Sequence, residues 1–459
     1  MDFKSIVVIG LGYIGLPTAA MFASKKVKVL GVDINQNTVD TINQGKIHIV
    51  EPGLGLLVQE AVANGYLQAA VTPASADAFL IAVPTPFKAN HQPDLSYIQK
   101  AAEAIAPVLK KGNVVILEST SPVGATELVA QWLAALRLDL SFPQQAGDTA
   151  DIKIAYCPER VLPGQVVREL VENDRIIGGL TPSCSILGCK LYSIFVTGEC
   201  ITTNARTAEM AKLTENASRD VSIAFANELS LIADKLDIDV WELIELANRH
   251  PRVNILQPGP GVGGHCIAVD PWFLVSSAPA EAQLIRTARI VNDNKPQWVC
   301  GKVESALAAF LMDNPQRSAS SIVLACFGLA FKANIDDLRE SPAVNITKNI
   351  SAHLPCKVIA VEPNIATLPA ALLGLVELVS LSQALTTADI ILLLVDHTSF
   401  KVVDPLVLHT KVVIDTRGLW REKPSNDRAT KKQDQSNSLH IETDKVSEVG
   451  RKVKTALLI

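Results

Sequence analysis

Paired cysteines are missing from this chain. Its eight cysteines are scattered, with no C-x-x-C pair and no zinc-like mixture of Cys and His. That excludes a disulfide framework and a zinc ribbon, leaves no metal centre to expect, and points to a reducing, cytoplasmic compartment. A strong charge bias is absent too: the formal net charge is -5, which argues against a nucleic-acid partner. Long apolar runs are lacking. "ADIILLLVD" (388–396) is too short to span a bilayer and is bounded by aspartates, as a buried parallel strand would be. No membrane insertion is expected. The N-terminus "MDFKSIVVIG" has no basic-then-apolar leader, and no repeat of solenoid length is evident. What is present is a chain of 459 residues, 48% hydrophobic and 19% charged, enough for two or three globular domains.

The first block alternates strands with helical stretches. "SIVVIG" reads as a β-branched strand that runs into glycines and then a helical "LPTAAMFASK". A strand "VKVLGVD" and a helix "QNTVDTINQG" follow, with Asn35 as its cap and Gly45 as its stop. Further strands are expected at "AFLIAVPTP", "VVILESTSP" and "IKIAYCPER". Residues 204–236 carry one helical pattern without Pro or Gly, suited to a domain connector or a dimer interface. A second alternating block holds "IVLACFGLAFK", "KVIAVEP", "DIILLLVDH" and "KVVIDTRG". The expected fold class is α/β: two Rossmann-like, doubly wound parallel-sheet domains joined by a long central helical segment. The expected boundaries are 1–203, 204–314, 315–421 and a polar, unstructured tail at 422–459.

Gly10, Gly12 and Gly15 form G-x-G-x-x-G between a strand and a helix, with Asp33 ending the next strand. That context is what a dinucleotide requires. The glycines admit the pyrophosphate to the helix N-terminus, and Asp33 would accept from the ribose 2′-hydroxyl, favouring NAD over NADP. The second block has one glycine, Gly328, and no such fingerprint, so a second dinucleotide site of that kind is not expected. Lys332 and Arg339 could meet an anion, or could pair with Asp336, Asp337 and Glu340. Lys212, Asn216 and Arg219 share a helix face. They suit either a solvated stripe or a grip on phosphates and oxyanions. His250 and Arg252 make a basic loop with the same two readings. Cys266 in "GVGGHCIAVDP" stands apart from Cys184, Cys189, Cys200, Cys300, Cys326 and Cys356, which read as buried and inert. Its loop is too glycine-rich for a core, and His265 with nearby cations would favour the reactive thiolate.

With these residues the chain resembles the UDP-glucose/UDP-mannuronic acid dehydrogenase family from Ile6 to about Trp420. The motifs are "GLGYIGLP", "VPTP", "ESTSPVG", "YCPERVLPG", "AEMAKLTEN", "GPGVGGHCIAVDPWF" and "FGLAFKANIDDLRESPA". Members acting on UDP-glucose usually carry Ser before the cysteine and "FPKD" after it. Here His265 precedes it and Val269 stands at the lysine position, as in the acetamido-sugar branch. The resemblance implies NAD as cofactor, UDP-N-acetyl-D-mannosamine as substrate, with UDP-N-acetylglucosamine as the rival, and a homodimer. It also implies a four-electron oxidation at C6, supplying surface polysaccharide of the enterobacterial common antigen type. By resemblance, Cys266 is the nucleophile and Lys212 a proton donor and acceptor. The base of the first oxidation is either Lys212 or a water held by Asp270, and Lys212 with Asn216 would stabilise the oxyanions. Tyr13, Ile14, Thr85 and Thr126 join the glycines and Asp33 at NAD. Arg160, Val161, Lys212, Asn216, Arg219, His250, Arg252, Gly263, Phe331, Arg339 and Arg417 line the sugar nucleotide. Lys332 is assigned to both ligands.

Overall fold

The computed structural model describes residues 3–88, 91–162, 164–264, 266–421 and 457–458. The chain folds into two compact units, one of Met1–Ser218 with Val269–Gln283 and one of Arg219–Ala268 with Leu284–Ile459.

The first unit is built on an eight-stranded sheet. Its strands are β1 (Ser5–Ile9), β2 (Lys28–Val32), β3 (Leu67–Ala70), β4 (Ala78–Ile81), β5 (Val114–Leu117), β6 (Lys153–Tyr156), β7 (Arg175–Gly179) and β8 (Cys200–Asn204). They lie in the order β3-β2-β1-β4-β5-β6-β7-β8. All pairs are parallel except β6 with β7, which departs from the purely parallel sheet expected. Side chains alternate across the sheet. Ile6 and Val8 enter one core with Leu80 and Ile116, while Val7 and Ile9 enter another with Phe79 and Leu117. Both faces are therefore buried, as continuous apolar strands require. The order reverses between β1 and β4, and such a switch point opens a crevice at the strand carboxyl ends.

The second unit repeats that order in a six-stranded sheet. Strands β9 (Val323–Phe327), β10 (Lys357–Val361), β11 (Glu377–Leu378), β12 (Ile390–Leu393), β13 (Val412–Asp415) and β14 (Leu457–Leu458) run β11-β10-β9-β12-β13-β14, all parallel. Glu362 ends β10 where Asp33 ends β2. Its buried carboxylate accepts from the Leu329 and Ala330 amides at 2.7 and 3.0 Å and meets His397 Nε2 at 2.9 Å. Asn364 adds two more donors, its backbone N–H and its Nδ2, each at 3.1 Å. These bonds fix the loop after β9, and they hold Glu362 below its usual pKa against the opposing effect of burial.

The long helix expected near 204–236 spans Ala205–Lys235, and a second helix of equal length spans Gln283–Asp313. Asn35 caps its helix as expected, accepting from the Asn37 amide. Of the cysteines read as buried, Cys184, Cys300 and Cys326 are buried, but Cys189, Cys200 and Cys356 are only half so, while Cys157 is buried. Of the polar tail, only Leu457–Leu458 falls within the described residues, as β14 beside β13.

Candidate active site

Strand β1 ends at Gly10, whose φ of 92° puts it in the left-handed region, and a Cβ there would sit 2.5 Å from the Ala82 carbonyl oxygen. At Gly15, the first residue of the helix Gly15–Ser24, a Cβ would lie 1.8 Å from the Gly10 carbonyl oxygen. These two glycines serve close packing. Gly12 differs, because nothing lies within 4 Å of its Cβ position. Open space over a helix N-terminus is what a pyrophosphate needs. Asp33 accepts from the Leu11 and Asn35 amides at 3.0 and 2.9 Å and remains half-exposed. The residues fit a dinucleotide.

A second helix N-terminus, that of Ala125–Leu136, is already filled. Glu209 is fully buried and accepts from the Gly124 amide (2.6 Å), the Thr126 amide (2.8 Å) and the Thr126 hydroxyl (2.6 Å). A carboxylate thus satisfies the dipole there, although burial still raises its pKa. Thr126, assigned to NAD by resemblance, spends its hydroxyl on this bond. Thr85 donates to the Thr120 carbonyl at 2.6 Å, Tyr13 is exposed and Ile14 half-buried.

The same unit gathers an acid–base cluster. Lys212 is buried, so it is not part of a solvated stripe. Asp270 opens the helix Asp270–Ser277 and is 2% exposed. Burial, against the attraction of Lys212 and a 2.5 Å bond from the Asn216 amide, pushes its carboxyl up to about 6. Glu159 is also raised, by burial opposed by Lys212 and Arg175, and it accepts from the Val161 amide. Two carboxyls thus share the influence of one ammonium. Arg160 pairs with Glu215 at 2.7 Å.

The second unit holds the remaining candidates. Arg219, His250, Arg252, Lys332 and Arg339 are exposed. Arg339 is paired with Asp337, with Nη2 to Oδ2 at 2.6 Å. Arg417 bonds Asp396 at 3.0 Å. Cys266 is exposed, whereas His265 lies outside the described residues. The loop before the cysteine packs closely on its surroundings. A Cβ on Gly263 would meet the Glu340 carbonyl oxygen at 2.6 Å, and one on Gly264 the Phe331 ring at 3.0 Å.

Glu159 and Glu209 were not singled out in the sequence, although both lie in quoted motifs, "YCPER" and "AEMAK". Their burial and their partners, 53 positions away for Lys212 and 83 for Thr126, are properties of the fold. Among the described residues no group of three or more His, Cys, Asp or Glu side chains could hold a metal ion.

Models of three domains match this chain in order. They describe the NAD binding domain (residues 4–196), the central domain (206–294) and the UDP binding domain (325–422) of one family. The chain belongs to the UDP-glucose/GDP-mannose dehydrogenase family. Among its members, UDP-N-acetyl-D-mannosamine dehydrogenase of Yersinia pestis is 63% identical over 421 residues, covering 92% of this chain and all of the relative. NDP-N-acetyl-D-galactosaminuronic acid dehydrogenase of Ralstonia nicotianae is also 63% identical, over 423 residues, covering 92% of this chain and 98% of the relative. The structure of a UDP-D-ManNAc dehydrogenase from Pyrococcus horikoshii superposes with a TM-score of 0.81 at 39% identity, covering 92% and 97% of the two chains. The glycine cradle lies in the NAD binding domain. The sheet with the internally bonded Glu362 lies in the UDP binding domain.

Proposed function

We propose that this chain oxidises UDP-N-acetyl-D-mannosamine at C6 to UDP-N-acetyl-D-mannosaminuronate, consuming one water and two NAD. The observation that carries the reading is the cluster of buried Lys212 and Asp270 with half-buried Asn216, in the unit that holds the NAD cradle. A carboxyl held at about 6 beside an ammonium can take up or release a proton near neutrality. The relatives' names support the choice of sugar.

Bound NAD supplies the hydride acceptor for both oxidations. In the first, the C6 hydroxyl proton passes to Lys212 or to a water held by Asp270 while C6 gives up its hydride, leaving the aldehyde. The Cys266 thiolate then adds to that carbonyl carbon, and its oxygen takes a proton, so that a thiohemiacetal forms. Loss of the C6 hydride and the hydroxyl proton leaves a thioester. Water attacks the thioester carbon and the C–S bond breaks, which forms the acid and regenerates the thiol. Lys212 and Asn216 stabilise the oxyanions on either side of the thioester. The thiol's work is to hold the half-oxidised sugar while the cofactor is exchanged. Arg160, Val161, Arg219, His250, Arg252, Gly263, Phe331, Lys332, Arg339 and Arg417 are assigned to the sugar nucleotide.

The active form is proposed to be a cytoplasmic homodimer. Phe225 and Ile232 stand seven residues apart on the first long helix, and Leu236 follows just past its end, each about half or more exposed (51%, 49% and 61%). Such an apolar stripe suits a second copy. No helix among the described residues is long and apolar enough to cross a membrane.

The test is NADH formed per sugar consumed, with UDP-N-acetylmannosamine run beside the N-acetylglucosamine, N-acetylgalactosamine and glucose analogues. Two NADH from the mannosamine sugar alone is the expected result. Two from another sugar would keep the chemistry and replace the substrate. One NADH per sugar would end the reading of Cys266.

A further inference from the structure

The seam between the two long helices, within the second unit, is polar where apolar packing would be expected. Asp220, Asn227 and Ser230 on Ala205–Lys235 face Arg289, Asn292 and Lys295 on Gln283–Asp313, and all six are at most 2% exposed. Polar side chains so deeply buried cost stability unless bonded. Here they form a relay. Arg289 Nη1 donates to Asp220 Oδ1 at 2.6 Å, and Asn292 Nδ2 donates to the same oxygen at 2.8 Å. Asn227 Nδ2 donates to Asn292 Oδ1 at 2.9 Å. Below it, Lys295 Nζ donates to Ser230 Oγ at 2.6 Å, and Ser230 Oγ to the Asn227 carbonyl at 2.6 Å.

The relay ends on backbone. Asn227 Oδ1 accepts from the buried Gly259 N–H at 2.9 Å. Gly259 begins the turn that reaches Cys266 seven residues later, and that turn has little room for side chains. A Cβ on Gly259 would fall 2.4 Å from Arg417 Nη1, and one on Gly261 would fall 3.1 Å from both Pro296 and Pro342. At the far end the Gly264 amide donates to the Arg339 carbonyl at 3.1 Å. The turn is therefore pinned at Gly259 by one side chain and at Gly264 by one backbone bond, with the reactive thiol two residues beyond.

We propose that Asn227 is a positioning residue for Cys266: its amide, oriented by Asn292, Asp220 and Arg289, fixes the register of the glycine turn that presents the thiol. Since Asn227 Nδ2 is committed to Asn292, Oδ1 is held toward Gly259 and the amide cannot turn over. This inference rests on the nucleophilic role proposed for Cys266, and the experiment separates the two.

Full-length wild type, Asn227→Leu, Asn227→Ser and Cys266→Ser are compared for kcat, the KM for NAD, melting temperature and the aldehyde trapped by semicarbazide during turnover. A turn displaced by about 1 Å is expected to lower kcat roughly 10- to 100-fold. The KM for NAD stays within twofold in both Asn227 variants, and trapped aldehyde rises because the thiol no longer captures it. A merely structural role would lower melting temperature without raising trapped aldehyde, and that result overturns the proposal. So does wild-type kcat in either folded variant, and Asn227→Ser serves if the leucine variant does not fold. Acid formation at the wild-type rate by Cys266→Ser would instead overturn the covalent chemistry itself.

Discussion

Replacing Asp270 by Asn should make the protein more stable while slowing it. Burial raises the Asp270 carboxyl from an ordinary 3.8 to about 6, even with Lys212 and Asn216 opposing. The folded state therefore binds this proton more tightly than the unfolded state does. Stability from this group is lost as pH rises from about 4 to about 6 and stays lost above that. A shift of about two units at 1.36 kcal/mol each is a cost of about 3 kcal/mol at pH 8, falling to about 1 kcal/mol at pH 4.5. Asparagine resembles the protonated acid in shape and lack of charge, and its oxygen can still accept from Asn216. Asp270→Asn should thus gain about 3 kcal/mol at pH 8, or roughly 6–12 °C in melting temperature at 2–4 °C per kcal/mol. The gain should shrink to a third of that at pH 4.5. Calorimetry of both proteins at the two pH values measures it, and kcat at pH 8 should fall by at least tenfold because no carboxylate remains to hold the water. A melting gain that is equal at both pH values would refute the reasoning, since only a titrating carboxyl produces the difference. In wild type, kcat should rise with pH through about 6 as Asp270 ionises.

Cys266→Ser should bind NAD and sugar nucleotide normally yet form no acid, as followed by chromatography of the products. Gly12→Ala should melt as wild type does, because nothing lies near its Cβ position, but should weaken NAD binding tenfold or more by filling that space. Gly15→Ala, with its Cβ 1.8 Å from the Gly10 carbonyl oxygen, should lose both stability and NAD, so titration and calorimetry together separate these two glycines. Asp33→Ala should weaken NAD and narrow its preference over NADP. An unchanged ratio of the two cofactors would remove Asp33 from ribose recognition.

The nucleotide cradle was legible in the sequence because its glycines stand in contiguous context after β1. The long helix was legible because 31 residues hold no Pro or Gly. Strands β3 and β8 were not. "LQAA" lacks β-branched residues, and "CITTN" lies at the sheet edge with no fully buried position, so neither shows the apolar run of a central strand. The antiparallel β7 escaped because direction is set by the connection, not by composition. In the site, Cys266, Lys212 and Asp270 stood out by motif. Glu159 and Glu209 did not, because a buried carboxyl and a solvated one are spelled alike. The Asn227 relay was invisible for the same reason: its partners on the two helices stand 65 or more positions apart in sequence.

The two sheets share one strand order, yet they differ in how much acceptor capacity each leaves at the end of its second strand. A carboxylate offers about four lone-pair positions. Asp33 has two donors on it, from Leu11 and Asn35, and stays half-exposed. Glu362 carries the Leu329, Ala330 and Asn364 amides, the Asn364 side chain and His397, and is buried. It is saturated before any ligand arrives. Grafting a glycine fingerprint behind β9 would therefore not convert the second sheet to a dinucleotide binder. The carboxylate would first have to be unloaded, and the loop that carries Phe331 and Lys332 would lose its anchor in the exchange.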